Sequence, residues 1–151
     1  MSVVSDDEIR AAMDRIELTA RSEYTRAVTA ELIALFAEVS GDDHPLHLDA
    51  DYAAATQYGR RIAHGAMLVG FMSTASTVLS EAIEAEIGRP NVSLGYDRLR
   101  FILPVFEGDV ITTRIGILSV DRARLRVVCE ETCVNQAGKT VAVGHHIMRF
   151  I

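Results

Sequence analysis

Residues 40–49, SGDDHPLHLD, contain three carboxylates, two imidazoles and a central proline. Carboxylate and imidazole groups can take up and return protons near neutral pH. Asp42 and His47 lie five positions apart with Pro45 between them. Because Pro45 disfavours a helical conformation for the residue before it, a bent loop can direct both side chains into one pocket. The stretch therefore predicts a possible acid–base pair.

A metal site and an ordinary surface loop are the alternatives on local sequence. Four side chains are possible zinc ligands: Asp42, His44, His47 and His64. Because a proline follows His44, His44 and His47 are not expected to bind a metal from successive turns of one helix. Neither an HExxH motif nor a cysteine pair accompanies these residues. The surface loop is therefore the stronger alternative, and the metal site is the weaker one.

The segment from Ile62 to Gly65 begins the longest apolar run of the chain, which predicts a long helix buried at its start. The N–H of Gly65 at a helix N-terminus can stabilise negative charge on a carbonyl oxygen, as an oxyanion hole does. For Gly65 the alternative is a structural role, the close packing of the helix against the sheet. For His64 the alternative is an ordinary histidine in the core. Ser73, nine residues after His64, has the alternative of bonding its own helix backbone.

Helical patterns dominate the first half of the chain. A capping box from Ser5 to Glu8 predicts a short amphipathic helix at about residues 6–16. Thr29 and Gly41 have the residue types that begin and end a second helix. Its predicted apolar face consists of Leu32, Ile33, Phe36 and Val39. Asp49 can cap a short helix at about 50–57, and the long helix covers 64–87.

Strand patterns follow in the second half. An exposed strand is predicted at 18–28, and runs rich in Ile, Val and Thr occupy 92–103, 109–120, 123–135 and 140–150. Their spacing predicts an antiparallel meander. The chain is therefore expected to form an α+β fold, a single domain over residues 1–151 with a sheet wrapped around the long helix.

The composition is that of a soluble globular protein, with 49% hydrophobic and 24% charged residues. A net charge of −6 argues against nucleic-acid binding and against a polybasic membrane anchor. No signal-peptide pattern is visible, and no apolar run reaches the ~18 residues that a spanning helix needs, so a cytoplasmic location is expected. Cys129 and Cys133 are expected to be buried and not joined to each other.

Three segments together resemble the MaoC-like family of (R)-specific enoyl-CoA hydratases. These are D-D-H-P-L-H-L-D at 42–49, Tyr58-Gly59, and I-A-H-G-A-M at 62–67. The segment LRFILPVFEGDVI at 99–111 is similar to the second signature of the family. The resemblance implies a hot-dog fold, an antiparallel sheet wrapped around one long central helix, assembled as a homodimer or a dimer of dimers.

The resemblance also implies the reaction, a reversible syn addition of water to a trans-2-enoyl thioester that gives an (R)-3-hydroxyacyl thioester. No metal or redox cofactor is expected, and CoA enters as part of the substrate. Asp42 and His47 match the catalytic pair, and Gly65 matches the glycine whose N–H binds the thioester oxygen. Ser73 matches a helix position that supports the catalytic carboxylate, and His44 stands where the family often has asparagine.

Substrate contacts follow as further expectations. A possible acyl pocket is formed by Met67, Leu68, Phe71 and Met72, with an ordinary core position as the alternative for each. Arg60 and Arg61 are candidates for contact with the phosphates of CoA, or a solvated basic pair. Two other functions stay open: a hot-dog acyl-CoA thioesterase, and a non-catalytic acyl-thioester-binding subunit of a heteromeric hydratase.

Overall fold

The computed structural model describes residues 5–151. Its helices are α1 (Asp6–Ala12), α2 (Ala30–Ser40), α3 (Pro45–Leu48), α4 (Ala50–Ala54) and α5 (Gly65–Ile87). Its strands are β1 (Arg21–Ala27), β2 (Asn91–Phe101), β3 (Val110–Asp121), β4 (Arg126–Val134) and β5 (Thr140–Phe150). A 3-10 turn at Met13–Arg15 continues α1, so the predicted helix at 6–16 is nearly matched.

The five strands form one antiparallel sheet in the order β1-β3-β4-β5-β2. The predicted meander is correct for β3, β4 and β5 but wrong for β2, which pairs with β5 at the far edge. The connection at residues 102–109 is longer than the usual two to five residues of a hairpin loop. Because this connection crosses the end of the sheet, β2 and β3 need not be neighbours.

Helix α5 lies against the sheet and buries ten of its residues. Its first half packs in one apolar cluster with Val105, Ile111 and Val141. Its second half packs in another cluster with residues of β3, β4 and β5. By length and composition alone α5 could cross a membrane, but the core helix of a soluble protein passes the same test.

Helix α1 covers the core beside the second half of α5. The Ser5 hydroxyl accepts from the Glu8 N–H at 3.3 Å, and the Glu8 carboxylate accepts from the Ser5 N–H at 2.7 Å, so the predicted capping box is present. Ile9, Ala12 and Met13 are buried against Leu79 and Ile83 of α5. The N-terminal helix is therefore part of the core.

The predicted apolar face of α2 is wrong at one end. Ile33 and Ala37 are buried, whereas Val39 is 79% exposed in the last turn before Gly41. The buried stripe follows the four-residue spacing from Ile33 to Ala37, which turns Val39 towards solvent. The predicted cap at Thr29 and stop at Gly41 are both confirmed.

The two cysteines are free and fully buried on β4, as predicted. Burial raises the pKa of Cys129 to about 12 and that of Cys133 to about 11. Both side chains therefore act as small apolar groups in the core. That residues 1–151 form a single domain stays a prediction.

Candidate active site

The loop after α2 is held by three successive capping interactions. Gly41 ends α2 in the left-handed conformation, with φ at 78°. The ring of His44 accepts from the Leu46 N–H at 3.2 Å and caps α3, in which Pro45 is the first residue. Asp49 caps α4 by accepting from two backbone N–H groups at 2.9 Å. These caps fix the backbone on both sides of Asp42 and His47.

His47 is oriented by the backbone of the segment that leads into α5. Its Nδ1 lies 2.8 Å from the carbonyl oxygen of Ile62. Because a carbonyl oxygen only accepts, Nδ1 carries a proton, and Nε2 of the neutral ring is left as an acceptor. His47 is half-buried, so Nε2 can receive a hydrogen bond from water or substrate.

His64 joins the two predicted catalytic residues. Its ring stacks on that of His47, with centroids 3.7 Å apart and planes tilted by 27°. Its Nε2 donates to the main-chain carbonyl of Asp42 at 2.8 Å. The ring of Phe36 in α2 also packs against the ring of His64, with centroids 4.9 Å apart. His64 is buried and positions Asp42 and His47 relative to each other.

The carboxylate of Asp42 completes the group. Asp42 is exposed, and one side-chain ligand atom from each of Asp42, His47 and His64 lies within 4.8 Å of the others. An exposed carboxylate and a half-buried imidazole can hold the same water molecule from two sides. The predicted convergence of Asp42 and His47 is therefore present in the fold.

Gly65 is the first residue of α5, so no carbonyl within the helix accepts its N–H. The positive end of the helix dipole lies at the same place. Phe101 packs directly on Gly65: an added Cβ would lie 2.7 Å from the Phe101 ring. Gly65, His64 and Phe101 line a cavity of about 260 Å³ that also contacts Tyr58 and Leu68.

The predicted acyl-pocket residues are Met67, Leu68, Phe71 and Met72 of α5. All four are buried in the same core cluster, and Leu68 also lines the cavity. Of the four acyl-pocket candidates, Leu68 borders this cavity, and the other three have the ordinary core position that was the alternative for each.

Arg60 and Arg61 lie on the surface before α5. The guanidinium of Arg60 lies 4.1 Å from the centre of the Phe106 ring, and Arg61 forms an ion pair with Glu107 at 2.6 Å. Both arginines line a second cavity of about 380 Å³. Contact of Arg60 or Arg61 with the phosphates of CoA therefore stays a prediction.

Ser73 is not brought to Asp42. It is exposed on α5, and within residues 5–151 no hydrogen bond joins its side chain to that carboxylate. Its helical neighbours Met72 and Ala75 face the sheet, which turns Ser73 away from it. Support of Asp42 by Ser73 is therefore not seen in this chain.

A buried polar network lies under α5 that the sequence patterns did not predict. Ser76 donates to the Glu131 carboxylate at 2.8 Å and also contacts Nδ1 of His146. Tyr96 stacks on His146, with centroids 4.2 Å apart. Burial and the nearby Glu131 raise the pKa of Tyr96. The alternation of Glu131 with Cys129 and Cys133 was the signal that it faces the helix.

A five-stranded antiparallel sheet wrapped around one long helix defines the hot-dog fold, in agreement with the prediction. The model of the MaoC-like domain matches residues 11–140, and this chain belongs to that family.

One relative and two solved structures show the extent of the similarity. The (R)-specific enoyl-CoA hydratase of Aeromonas caviae is 28% identical over 89% of this chain and 95% of its own length. The solved structure of the (R)-hydratase from A. caviae involved in PHA biosynthesis gives a TM-score of 0.77, covering 91% of this chain and 98% of that one. An unliganded R-hydratase from Pseudomonas aeruginosa is 36% identical, with a TM-score of 0.69, covering 91% and 83% of the two chains.

Proposed function

We propose that this protein is an (R)-specific enoyl-CoA hydratase, a hydro-lyase that also dehydrates 3-hydroxyacyl-CoA in the reverse direction. The observation that carries the proposal is the convergence of Asp42 and His47 beside the free N–H of Gly65. This arrangement occurs in a chain of the MaoC-like family whose relatives include an (R)-specific enoyl-CoA hydratase.

In the proposed reaction, Asp42 and His47 hold one water molecule. The Asp42 carboxylate accepts one hydrogen bond from it, and Nε2 of His47, left free by the bond from Nδ1 to Ile62, accepts the other. As the water oxygen bonds to Cβ, Asp42 takes one of its protons. Asp42 then gives this proton to Cα, while Nε2 of His47 holds the hydrogen that stays on the new Cβ hydroxyl, so that the elements of water are added across the double bond.

Gly65 stabilises the charge that develops between these two proton transfers. When water adds to Cβ, the electron pair of the double bond moves towards the thioester oxygen and forms an enolate. The N–H of Gly65 and the positive end of the 23-residue α5 face this charge. Because one water molecule on one face serves both carbons, the addition is syn. We assign the (R) configuration to the 3-hydroxyacyl product because the relatives of this chain include an (R)-specific enoyl-CoA hydratase.

The substrate is placed in two parts. We assign the acyl group to the cavity lined by Leu68 and Phe101, next to Gly65. We assign the phosphates of CoA to the neighbourhood of Arg60, which lacks a carboxylate partner in the described ion pairs, whereas Arg61 is paired with Glu107. No metal or redox cofactor takes part in the proposed mechanism.

The experiment mixes the protein with crotonyl-CoA and follows two signals in one reaction. Loss of the absorbance of the conjugated enoyl thioester reports hydration, and a thiol reagent reports free CoA. The proposal expects loss of the enoyl absorbance without free thiol. Release of thiol would instead identify a thioesterase. A chain that turns over neither crotonyl-CoA nor a longer enoyl-CoA, and that gains activity only with a second hot-dog chain, would be a subunit of a heteromeric enzyme.

We also propose that the protein is a cytoplasmic homodimer, either alone or within a dimer of dimers. Strand β2 is an edge strand, and Val92, Leu94 and Phe101 on it are exposed apolar residues. An exposed apolar edge is suited to pairing with a second chain. The two free thiols fit a reducing compartment. Light scattering during gel filtration measures the mass, and a mass of one chain would contradict the proposed dimer.

A further inference from the structure

The two stacked imidazoles of the site, His47 and His64, share one hydrogen-bonding arrangement. His47 donates from Nδ1 to the carbonyl of Ile62, and His64 donates from Nε2 to the carbonyl of Asp42, both at 2.8 Å. In each neutral ring the other nitrogen therefore keeps its lone pair. Histidines that bind metals are held in this way, with one ring N–H donated to a backbone carbonyl or carboxylate.

The free nitrogen of His64 is an unpartnered buried group. His64 is 2% exposed, and its Nδ1 has no hydrogen-bond partner among residues 5–151. A buried acceptor without a partner is unfavourable, and buried polar groups in folded proteins are normally satisfied by protein, water or an ion. The proposed water-holding role of Asp42 and His47 does not use this nitrogen.

Asp42 supplies an oxygen ligand to the group formed by these two histidines. One ligand atom from each of Asp42, His47 and His64 lies within 4.8 Å of the others. Bonds of about 2.0–2.2 Å to a tetrahedral zinc ion require ligand atoms roughly 3.4 Å apart, so the group must contract. Asp42 is exposed, and none of the described hydrogen bonds holds its carboxylate, so that group can move towards the two rings.

We propose that Asp42, His47 and His64 bind one divalent transition-metal cation of the zinc type, and that the cation inhibits the enzyme. Two imidazoles and a carboxylate are borderline nitrogen and oxygen ligands that suit such cations, and three protein ligands leave a position open to solvent. The cation occupies the place of the attacking water and engages both members of the acid–base pair. The inhibition rests on the proposed function, whereas the binding does not.

The binding test is a calorimetric titration of the intact protein with Zn²⁺, together with the visible spectrum of the Co²⁺-loaded protein. The wild type is expected to bind one Zn²⁺ per chain. Asp42→Asn and His47→Gln are each expected to weaken binding by about tenfold or more, as the loss of a ligand should do at least as strongly as the loss of a supporting group. In the Co²⁺ spectrum, both substitutions should change the d–d bands.

His44→Asn is the matched control. It removes an imidazole from the same loop, and asparagine can still accept from the Leu46 N–H and cap α3. The affinity for Zn²⁺ should stay within about twofold of the wild type, because His44 lies outside the group of three ligands. Thermal melting of each variant without metal shows that the comparison is made between folded proteins.

The outcomes separate the metal site from the proposed function. Absence of Zn²⁺ binding overturns the inference, as does binding that is unaffected by Asp42→Asn and His47→Gln or that is lost in His44→Asn. Hydration of crotonyl-CoA that Zn²⁺ fails to inhibit at saturating binding overturns the inhibitory role. If the site binds Zn²⁺ as expected but no enoyl thioester is hydrated, the metal site stands and the proposed function fails.

Discussion

At the scale of single residues, Gly65 is where the site tolerates least change. A Cβ at this position would lie 2.7–2.9 Å from three atoms of the Phe101 ring, so the ring or the helix start must shift. We expect Gly65→Ala to lower kcat/KM for an enoyl-CoA by up to about 10²-fold, because small displacements of oriented groups have large kinetic effects. Steady-state kinetics measure this change.

Gly70 provides the control within the same helix. No atom lies within 4 Å of a Cβ built at Gly70, and the residue is exposed on α5. Gly70→Ala should leave kcat/KM unchanged and raise the free energy of unfolding by about 0.5–1 kcal/mol. Equal kcat/KM values for the two alanine variants would show that Gly65 does not hold the substrate.

Glu131 is the residue on which the buried polar network depends. It is fully buried and accepts from Ser76, with Nδ1 of His146 3.3 Å away. Glu131→Ala should lower the free energy of unfolding by about 1–3 kcal/mol, because Ser76 loses its carboxylate acceptor and His146 loses its nearest carboxylate, although the contact between Ser76 and His146 remains. The exposed neighbour Glu130 is the control, and Glu130→Ala should change stability by less than about 0.5 kcal/mol. Urea denaturation measures both, and equal effects would contradict the role of the network.

At the scale of elements, α1 is a structural cover and not part of the catalytic site. Ile9 is 1% exposed and packs in the cluster formed with the second half of α5. Ile9→Ala should lower the free energy of unfolding by about 2–5 kcal/mol through the cavity that it leaves. The kcat of the folded variant should match that of the wild type.

The matched substitution on α1 is Ala11→Ser. Ala11 is exposed, so the change should stay within about 0.5 kcal/mol. If Ile9→Ala instead left stability unchanged and lowered kcat, α1 would belong to the catalytic site. Denaturation curves and initial rates on the same samples distinguish the two cases.

The elements that could be predicted from the sequence are those with local signals. Caps at Ser5, Thr29 and Asp49 specified three helix starts, and alternating apolar residues specified the strands. The position of β2 beside β5 could not be predicted, since pairing across the sheet leaves no trace in local periodicity. For the same reason the stack of His64 on His47 and the wall formed by Phe101 emerge only from the packed fold.

At the scale of the whole molecule, the buried thiols couple folding to pH. Burial raises the pKa of Cys129 to about 12 and that of Cys133 to about 11, from an ordinary value of 9.0. The folded state therefore keeps these protons longer than the unfolded state does. The stabilisation is complete below pH 9 and is lost as the pH rises towards 11 to 12.

The corresponding measurement combines denaturation with thiol labelling. The urea midpoint should fall as the pH rises above 9, and a double Cys→Ala variant should show a smaller fall. At pH 8 a thiol reagent should leave the native protein unlabelled and label both cysteines after unfolding. Rapid labelling of the native protein would contradict the burial of these side chains.

The central claim is that Asp42 acts as the base in the hydration of an enoyl thioester held by Gly65. The most direct measurement is the rate and the chirality of the product formed from crotonyl-CoA by the wild type and by Asp42→Asn. We expect (R)-3-hydroxybutyryl-CoA from the wild type and a rate lower by about 10²–10⁴-fold in the folded variant. An Asp42→Asn protein that is as active as the wild type, or a product of the opposite configuration, would contradict the account.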